Sequence, residues 1–291
     1  MDSIFRKITE NPVIGPGHSD TFFDCCVVPV GEGLRMYFSW RDRGSLACCE
    51  SADGVSWSAP REVLTAEGSG WVEVNRPSVV QTAEGWYMWY TGQDHGARQT
   101  GAIGLARSED GLNWEHVEGA VLAPAGGWEK QSLMCPHVLW EGERWRMWYS
   151  GGDLLEPDAI GYAESADGVH WERTAENPVL RPAEGWEAAR VAGACVVRRE
   201  TDYVAFYIGF AEGYERSQIG MARSADGVTG WERYPGNPVV GPGAEGEWDD
   251  CNVYKPYALQ WRGQWWLWYN ASRASDRREQ IGLARAEELG F

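Results

Sequence analysis

Long apolar runs are absent from this sequence. No segment approaches the length of a membrane span, and the opening MDSIFRKITENP has no apolar core of signal-peptide length. A cytoplasmic protein is the expectation. Positive charge is scarce as well. Lys and Arg total 26 against 43 Asp and Glu, a formal net charge of −17. That balance argues against nucleic acid and anionic membrane as partners and leaves a small-molecule substrate. The seven cysteines are odd in number and form no C-x-x-C pair, so they read as reduced thiols rather than a disulfide framework. No cofactor or metal is expected, and nothing in the composition speaks to oligomeric state.

Tryptophan is abundant, at 18 residues, and much of it recurs on a period. SADGVSW at 51 returns as SEDGLNW at 108, SADGVHW at 165 and SADGVTGW at 224, with 57, 57 and 60 residues between Trp57, Trp114, Trp171 and Trp231. A period of that size marks a repeat architecture. Other segments travel with it. An alternating aromatic run appears as LRMYFSW, WYMWYTG, WRMWYSG, YVAFYIG and WWLWYNA, the two-residue periodicity of a strand packed on both faces. It is followed by LACCES, AIGLARS, AIGYAES, QIGMARS and QIGLARA, whose small residues suit a strand squeezed between neighbouring sheets. A polar segment such as WERTAENPVLRP comes after the turn, and NRPSVV, MCPHVL or YKPYAL precedes the aromatic run. Units one and four carry this last piece without proline, as FDCCVV and GACVVR.

Four strands per unit and five units predict an all-β fold, a five-bladed β-propeller of antiparallel blades forming a single domain over 1–291. The N-terminal RKITENPVIGPG matches the outer segments RTAENPVLRPA and RYPGNPVVGPG, whereas the last unit ends at QIGLARAEELGF without one. The N-terminal strand is therefore expected to complete the last blade and close the ring, which removes exposed sheet edges. The SADG turn resembles the Asp-box of sialidase-type propellers and has a structural reading. Asp caps the turn amides, Gly takes positive φ and Trp packs between blades.

The starts of the innermost strands converge on the axis. Aligned on the proline, the preceding residues are Asp24, Arg76, Cys135, Gly193 and Lys255, and the following ones are Cys26, Ser78, His137, Cys195 and Tyr257. Upstream stand Asp20, Glu73, Asn75, Gln131, Arg190, Asp249, Asp250, Asn252 and Tyr254. Such a set of charges and amides around one mouth needs mutual pairing or a polar ligand. A salt-bridged plug and a small-molecule pocket both satisfy it. Cys26, His137 and Cys195 share one level, which permits a metal site without any sequence-local ligand spacing. Charged loops join second to third strands on the same rim: RDRGS, GQDHGARQ, GGDLLEPD, FAEGYERSQ and SRASDRREQ. They read mostly as solvated surface.

The blade pattern, the ring closure and the paired ENPV segments resemble the five-bladed propeller glycosidases, the arabinanase, β-xylosidase, invertase and levansucrase superfamily. The resemblance implies three carboxylates on the inner strands of the first three blades. Asp24 matches the first. Arg76 stands where the second is expected, in NRP. MCPHVLW resembles the Glu-Cys-Pro-Asp run of invertases, with Met134 in place of the general acid and His137 in place of the aspartate. The standard three-carboxylate mechanism is therefore not expected. The leading reading is an enzyme of this ancestry acting on a small polar, sugar-like or anionic substrate. Asp24 is the base and Glu73 or His137 the proton donor. Arg76 and Lys255 stabilise negative charge, while Asn75, Gln131, Arg190, Asp250, Asn252 and Tyr254 complete the binding site. Non-hydrolytic catalysis by a lyase, cyclase or isomerase and a silent glycan-binding propeller are the alternatives. With Arg76 and Lys255 flanking it, Asp24 is expected to favour its carboxylate form.

Overall fold

A computed structural model, describing residues 3–17, 19–94, 100–213 and 216–291, turns the repeat into five antiparallel meanders, here called blades. Strand β1 (Arg6–Lys7) comes first in the chain. Blade one is β2 (Phe22–Val30), β3 (Gly33–Trp40), β4 (Ser45–Ser51) and β5 (Arg61–Leu64). Blade two is β6 (Glu73–Thr82), β7 (Gly85–Asp94), β8 (Thr100–Ser108) and β9 (Glu115–His116). Blade three is β10 (Ser132–Trp140), β11 (Trp145–Gly152), β12 (Ala159–Ser165) and β13 (Glu172–Arg173), and blade four is β14 (Arg190–Arg198), β15 (Tyr203–Phe210), β16 (Ser217–Ser224) and β17 (Glu232–Arg233). Blade five has three consecutive strands, β18 (Asn252–Trp261), β19 (Gln264–Ser272) and β20 (Glu279–Ala286), and takes β1 as its fourth. Blades two and three touch through one parallel pair, Ser132 with Gly101. The arrangement is propeller-like.

The N-terminal strand occupies its place in full chemical detail. Lys7 faces Ala284 as Arg173 faces Ala163 and Arg233 faces Ala222. In blade three Arg173 pairs with buried Glu129 at 2.5 Å, and Tyr149 donates to the same carboxylate at 2.7 Å. Blade five repeats the group with Lys7 on buried Asp249 at 2.6 Å and Tyr269 donating to it at 3.2 Å.

The aromatic second strands supply both core and connections. Trp89, Trp148 and Trp268 are fully buried, and each indole N–H crosses to the glycine carbonyl of the next blade's SADG turn, at Gly168 (3.0 Å), Gly227 (2.7 Å) and Gly54 (3.2 Å). Tyr37, at the equivalent position of blade one, donates to Gly111 of blade two at 2.8 Å. The turn is pre-shaped for this. Asp167 accepts from the amides of Val169 and His170, and Ser165 accepts from that of Gly168. The four turns are thus sockets for a neighbour's side chain. Blade five has no such turn, and blade four presents Phe206 instead of a donor, so that seam is held by apolar packing that includes Phe5, Phe206, Trp265 and Leu267. Gly161 of the third strand shows why small residues recur there. A Cβ at this position would lie 2.7 Å from the Tyr149 ring and 2.8 Å from that of Trp128.

Candidate active site

Every inner strand breaks register at the same place, between Phe23 and Cys26, Asn75 and Ser78, Met134 and His137, Ala192 and Cys195, and Tyr254 and Tyr257. A bulge re-aims a side chain, and the residue in each bulge is left-handed: Asp24 at φ 59°, Arg76 at 55°, Cys135 at 52°, Gly193 at 57° and Lys255 at 45°. For a non-glycine residue that costs roughly 1 kcal/mol or more. A polar side chain on the preceding blade secures the bulge amide in four of the five. Asn270 accepts from Asp24 at 2.9 Å, Ser39 from Arg76 at 2.8 Å, Thr91 from Cys135 at 3.0 Å and Ser150 from Gly193 at 2.8 Å. The equivalent residue of blade four is Ile208, which offers the Lys255 amide no acceptor.

Above these bulges lies a cavity of about 390 Å³. Blades five, one and two contribute Asn252, Tyr254, Ser272, Arg277, Glu279, Phe23, Asp24, Arg41 and Arg76, and blades three and four contribute Met134, Cys135, Glu156, Pro157, Arg190, Ala192, Ile208, Phe210 and Ser217. Asp24 is buried, with Oδ2 3.6 Å from Nε of Arg76 and, among the described residues, no hydrogen-bond donor on that oxygen. The guanidinium is held in turn by the side-chain oxygens of Asn75 (2.6 Å) and Gln93 (2.9 Å). Arg41 lies 4.1 Å over the ring of Phe23 and pairs with Glu279 at 2.8 Å, and Tyr254 donates its hydroxyl to the same carboxylate. Arg190 faces Glu156 at 3.6 Å. Among the described residues four arginines and three carboxyls line this space, on a chain of formal charge −17.

The two cations beside Asp24 do not lower its pKa as expected. Burial raises its pKa and outweighs the opposing charges of Arg76 and Lys255, while Glu279 adds to the rise. Two cations nearby do not compensate a carboxyl removed from water when neither donates a hydrogen bond to it. Asp24 therefore takes up a proton more readily than an ordinary aspartate.

The other expected residues divide into three groups. Arg76, Arg190, Asn252 and Tyr254 line the cavity with Asp24. Asn75 and Glu73 do not line it. The Asn75 amide donates to Glu73 at 2.7 Å while its oxygen holds Arg76, so the pair positions the arginine. Gln131 and Asp250 are also outside the lining. Gln131 gives its amide to Gly152, and Asp250 ties down a loop by accepting from the amides of Ala274 (2.7 Å) and Gly246 (2.8 Å). Lys255 is buried away from the lining, and among the described residues its ammonium makes no ion pair.

The structure does not bring His137 to the cavity. Its Nε2 lies 2.8 Å from the Val196 carbonyl, and its ring packs near Trp148 and Tyr257. Burial and Lys255 depress its pKa to about 3, so the imidazole is neutral, Nε2 donates, and the general-acid role is withdrawn. His137 belongs to a tier of stitches between blades. Cys26 accepts from Val79 at 3.3 Å, Ser78 from Val138 at 2.9 Å and Cys195 from Ala258 at 3.3 Å. Burial pushes the thiols of Cys26 and Cys195 up to about 11 and 12, the opposite of what a thiolate ligand needs. Among the described residues no cluster suited to a metal ion occurs.

A pH dependence follows. Because the folded pKa of His137 lies below its ordinary 6.5, its contribution to stability is complete above about pH 6.5 and declines as pH falls towards 3. His137→Gln is expected to lower stability at pH 7 and to reduce the slope of stability against pH between about 6.5 and 4 in denaturant titrations. An unchanged slope contradicts the assignment.

Arg41, Glu156, Arg277 and Glu279 are the charged cavity residues that sequence reasoning missed. All four come from rim loops read as solvated surface, and their common place between second and third strands is the signal that could have found them. Residues 95–99 and 214–215 of two further rim loops lie outside the described residues.

No protein-family model matches the chain. An uncharacterized protein of Mycobacterium tuberculosis strain CDC 1551 / Oshkosh is 28% identical over 276 residues, covering 88% of this chain and 89% of the relative. Another, from strain ATCC 25618 / H37Rv, is 27% identical over the same shares. Among solved structures, a glycoside hydrolase superposes with TM-score 0.79 at 19% identity, covering 99% of this chain and 92% of its own. A thermostable family-43 glycoside hydrolase gives 0.77 at 18%, over 97% and 94%. A structure described with the GH130 family of mannoside phosphorylases, which contains glycoside hydrolases that target β-1,2 mannosidic linkages in Candida mannan, gives 0.72 at 15%, over 97% and 94%. At these identities the likeness is one of fold, the glycoside-hydrolase type of propeller, over nearly the full length.

Proposed function

We propose that the chain is a closed five-bladed propeller enzyme that acts on a small, polar, sugar-like substrate bearing an anionic group, with Asp24 as its proton-transferring carboxyl. One observation carries the reading: a buried Asp24 oxygen at the cavity wall, 3.6 Å from Arg76 and without a hydrogen-bond donor. A buried polar atom left unpaired is costly, and a substrate oxygen entering the cavity supplies the missing partner. Protonated Asp24 can give its proton to a leaving oxygen, and the carboxylate that results then gains the attraction of Arg76. Arg41, Arg190 and Arg277 extend the positive field to the rim.

Met134 supports a second reading. It lines the cavity where the resemblance implies the general acid, and a thioether has no proton to donate. A non-hydrolytic reaction, an elimination or isomerisation needing one well-placed proton carrier, fits that loss. Asp24→Asn tests the shared core of both readings. Turnover is expected to fall by at least about a hundredfold. The melting temperature should hold or rise, because an amide is less costly than a carboxyl to leave unpaired there. Product analysis on unactivated oligosaccharides, glycosyl phosphates and uronates separates hydrolysis from elimination. Full activity in Asp24→Asn defeats the proposal.

A further inference from the structure

We infer that the cavity takes an amphipathic substrate, with its polar head against blades five, one and two and a hydrocarbon portion against an apolar sector built by blades three and four. The inference rests on the reading of this cavity as the substrate site. The charged residues of the first sector are Asp24, Arg41, Arg76, Arg277 and Glu279. Across the axis Met134, Cys135, Pro157, Ala192, Ile208 and Phe210 form most of the wall, together with Ser217 and the Arg190–Glu156 pair. Within blade four the sector is continuous, with the Arg190 guanidinium 5.2 Å over the ring of Phe210. Ala192 and Ile208 are direct cross-strand partners, as are Arg190 and Phe210, and the Val191 amide bonds to Asp158, beside Pro157.

The repeat shows that this apolarity is local. At one position the second strands carry Ser39, Thr91, Ser150 and Asn270, each accepting from the next blade's bulge amide. Only blade four departs, with Ile208. Its own bulge is also the one without a side chain, and a Cβ at Gly193 would lie 2.7 Å from Cδ1 of Ile208. Blade four therefore lacks both the second-strand acceptor and the bulge side chain that the other blades have, and turns a branched hydrocarbon into the cavity instead. The stitch to Lys255 is lost in the exchange; Ile208 fills the space over Gly193 and also presents an apolar surface to the cavity. A volume of about 390 Å³ is at the small end for ligand pockets, suited to one ring or head group with a short tail.

The test is calorimetric titration of the full chain with n-alkanoates from butanoate to octanoate, which carry an anionic head and a tail of variable length. Affinity is expected to rise roughly three- to fourfold per methylene until the sector is filled. Ile208→Ser places in blade four the residue that blade three has at Ser150 and restores an acceptor for Lys255, so folding is expected to survive. The dependence on chain length should then drop below about twofold per methylene. Met134→Gln, on the other side of the sector, gives a second reading of the same slope. Binding without dependence on chain length overturns the inference and leaves the proposed function standing, as does a slope that both substitutions leave intact. Failure of every alkanoate to bind overturns the inference and removes the support for the cavity as an anion-accepting site.

Discussion

Removal of residues 1–15 is expected to abolish cooperative folding or to lower the melting temperature by about 10 °C or more. The segment closes blade five with β1 and continues along β20, where the Asn11 side chain exchanges hydrogen bonds with the Leu283 backbone at 2.9 and 2.8 Å and Val13 donates to Ile281 at 2.9 Å. Phe5, Val13 and Ile14 are buried. At about 1.5–3 kcal/mol each, less what a compact unfolded chain already buries, their loss takes a large part of a total stability of about 5–15 kcal/mol. It also strands Asp249, which is buried and paired with Lys7, as an uncompensated charge. Thermal melting of the truncated chain with and without a synthetic 1–15 peptide measures the effect. Restoration by the peptide confirms that the strand is needed as a strand, and a truncated chain that melts like the full one refutes the closure.

Arg76→Ala is expected to weaken ligand binding or transition-state stabilisation by about 2–5 kcal/mol, roughly thirtyfold to several thousandfold. Arg76 is the cation nearest Asp24, and its fork is already oriented by Asn75 and Gln93, so little reorganisation is needed when a ligand arrives. Its charge is also the largest influence opposing the burial of Asp24. Without it the Asp24 pKa rises further, and the limb of the pH–rate profile that follows this carboxyl should move to higher pH. Arg76→Lys keeps the charge and loses the forked hold, so it should keep that limb nearer its original place while still losing rate. Unimpaired kcat/KM in Arg76→Ala is the outcome that sinks the assignment.

Several site residues were legible for one reason. Aligning the repeats on the proline position singled out Asp24, Arg76, Cys135, Gly193 and Lys255, and all five have the same left-handed bulge. That geometry is a property of the repeat, so one alignment reaches every copy. His137 and Lys255 were misplaced because the alignment specifies a level along the axis and not which way a side chain turns. Val196 draws the imidazole into the wall, and Lys255 is buried outside the cavity lining. Asp250 and Gln131 stand near the mouth in sequence, yet loop amides and backbone bonds use them elsewhere.

The periodic sequence determined by itself the meanders, their order and the borrowed strand. Each rests on short-range preferences: two-residue alternation in five units, a turn that caps its own amides in four, and one N-terminal segment written like the outer strands. Tertiary structure alone decided the upward pKa shift of Asp24, the recruitment of Arg41, Glu156, Arg277 and Glu279 from rim loops, and the apolar face of blade four. Those depend on burial and on distances between residues far apart in the chain, as where Glu279 meets Arg41 and where desolvation outweighs the charge of Arg76. The balance between desolvation and Coulomb attraction is a property of assembled space, to which a linear pattern gives no access.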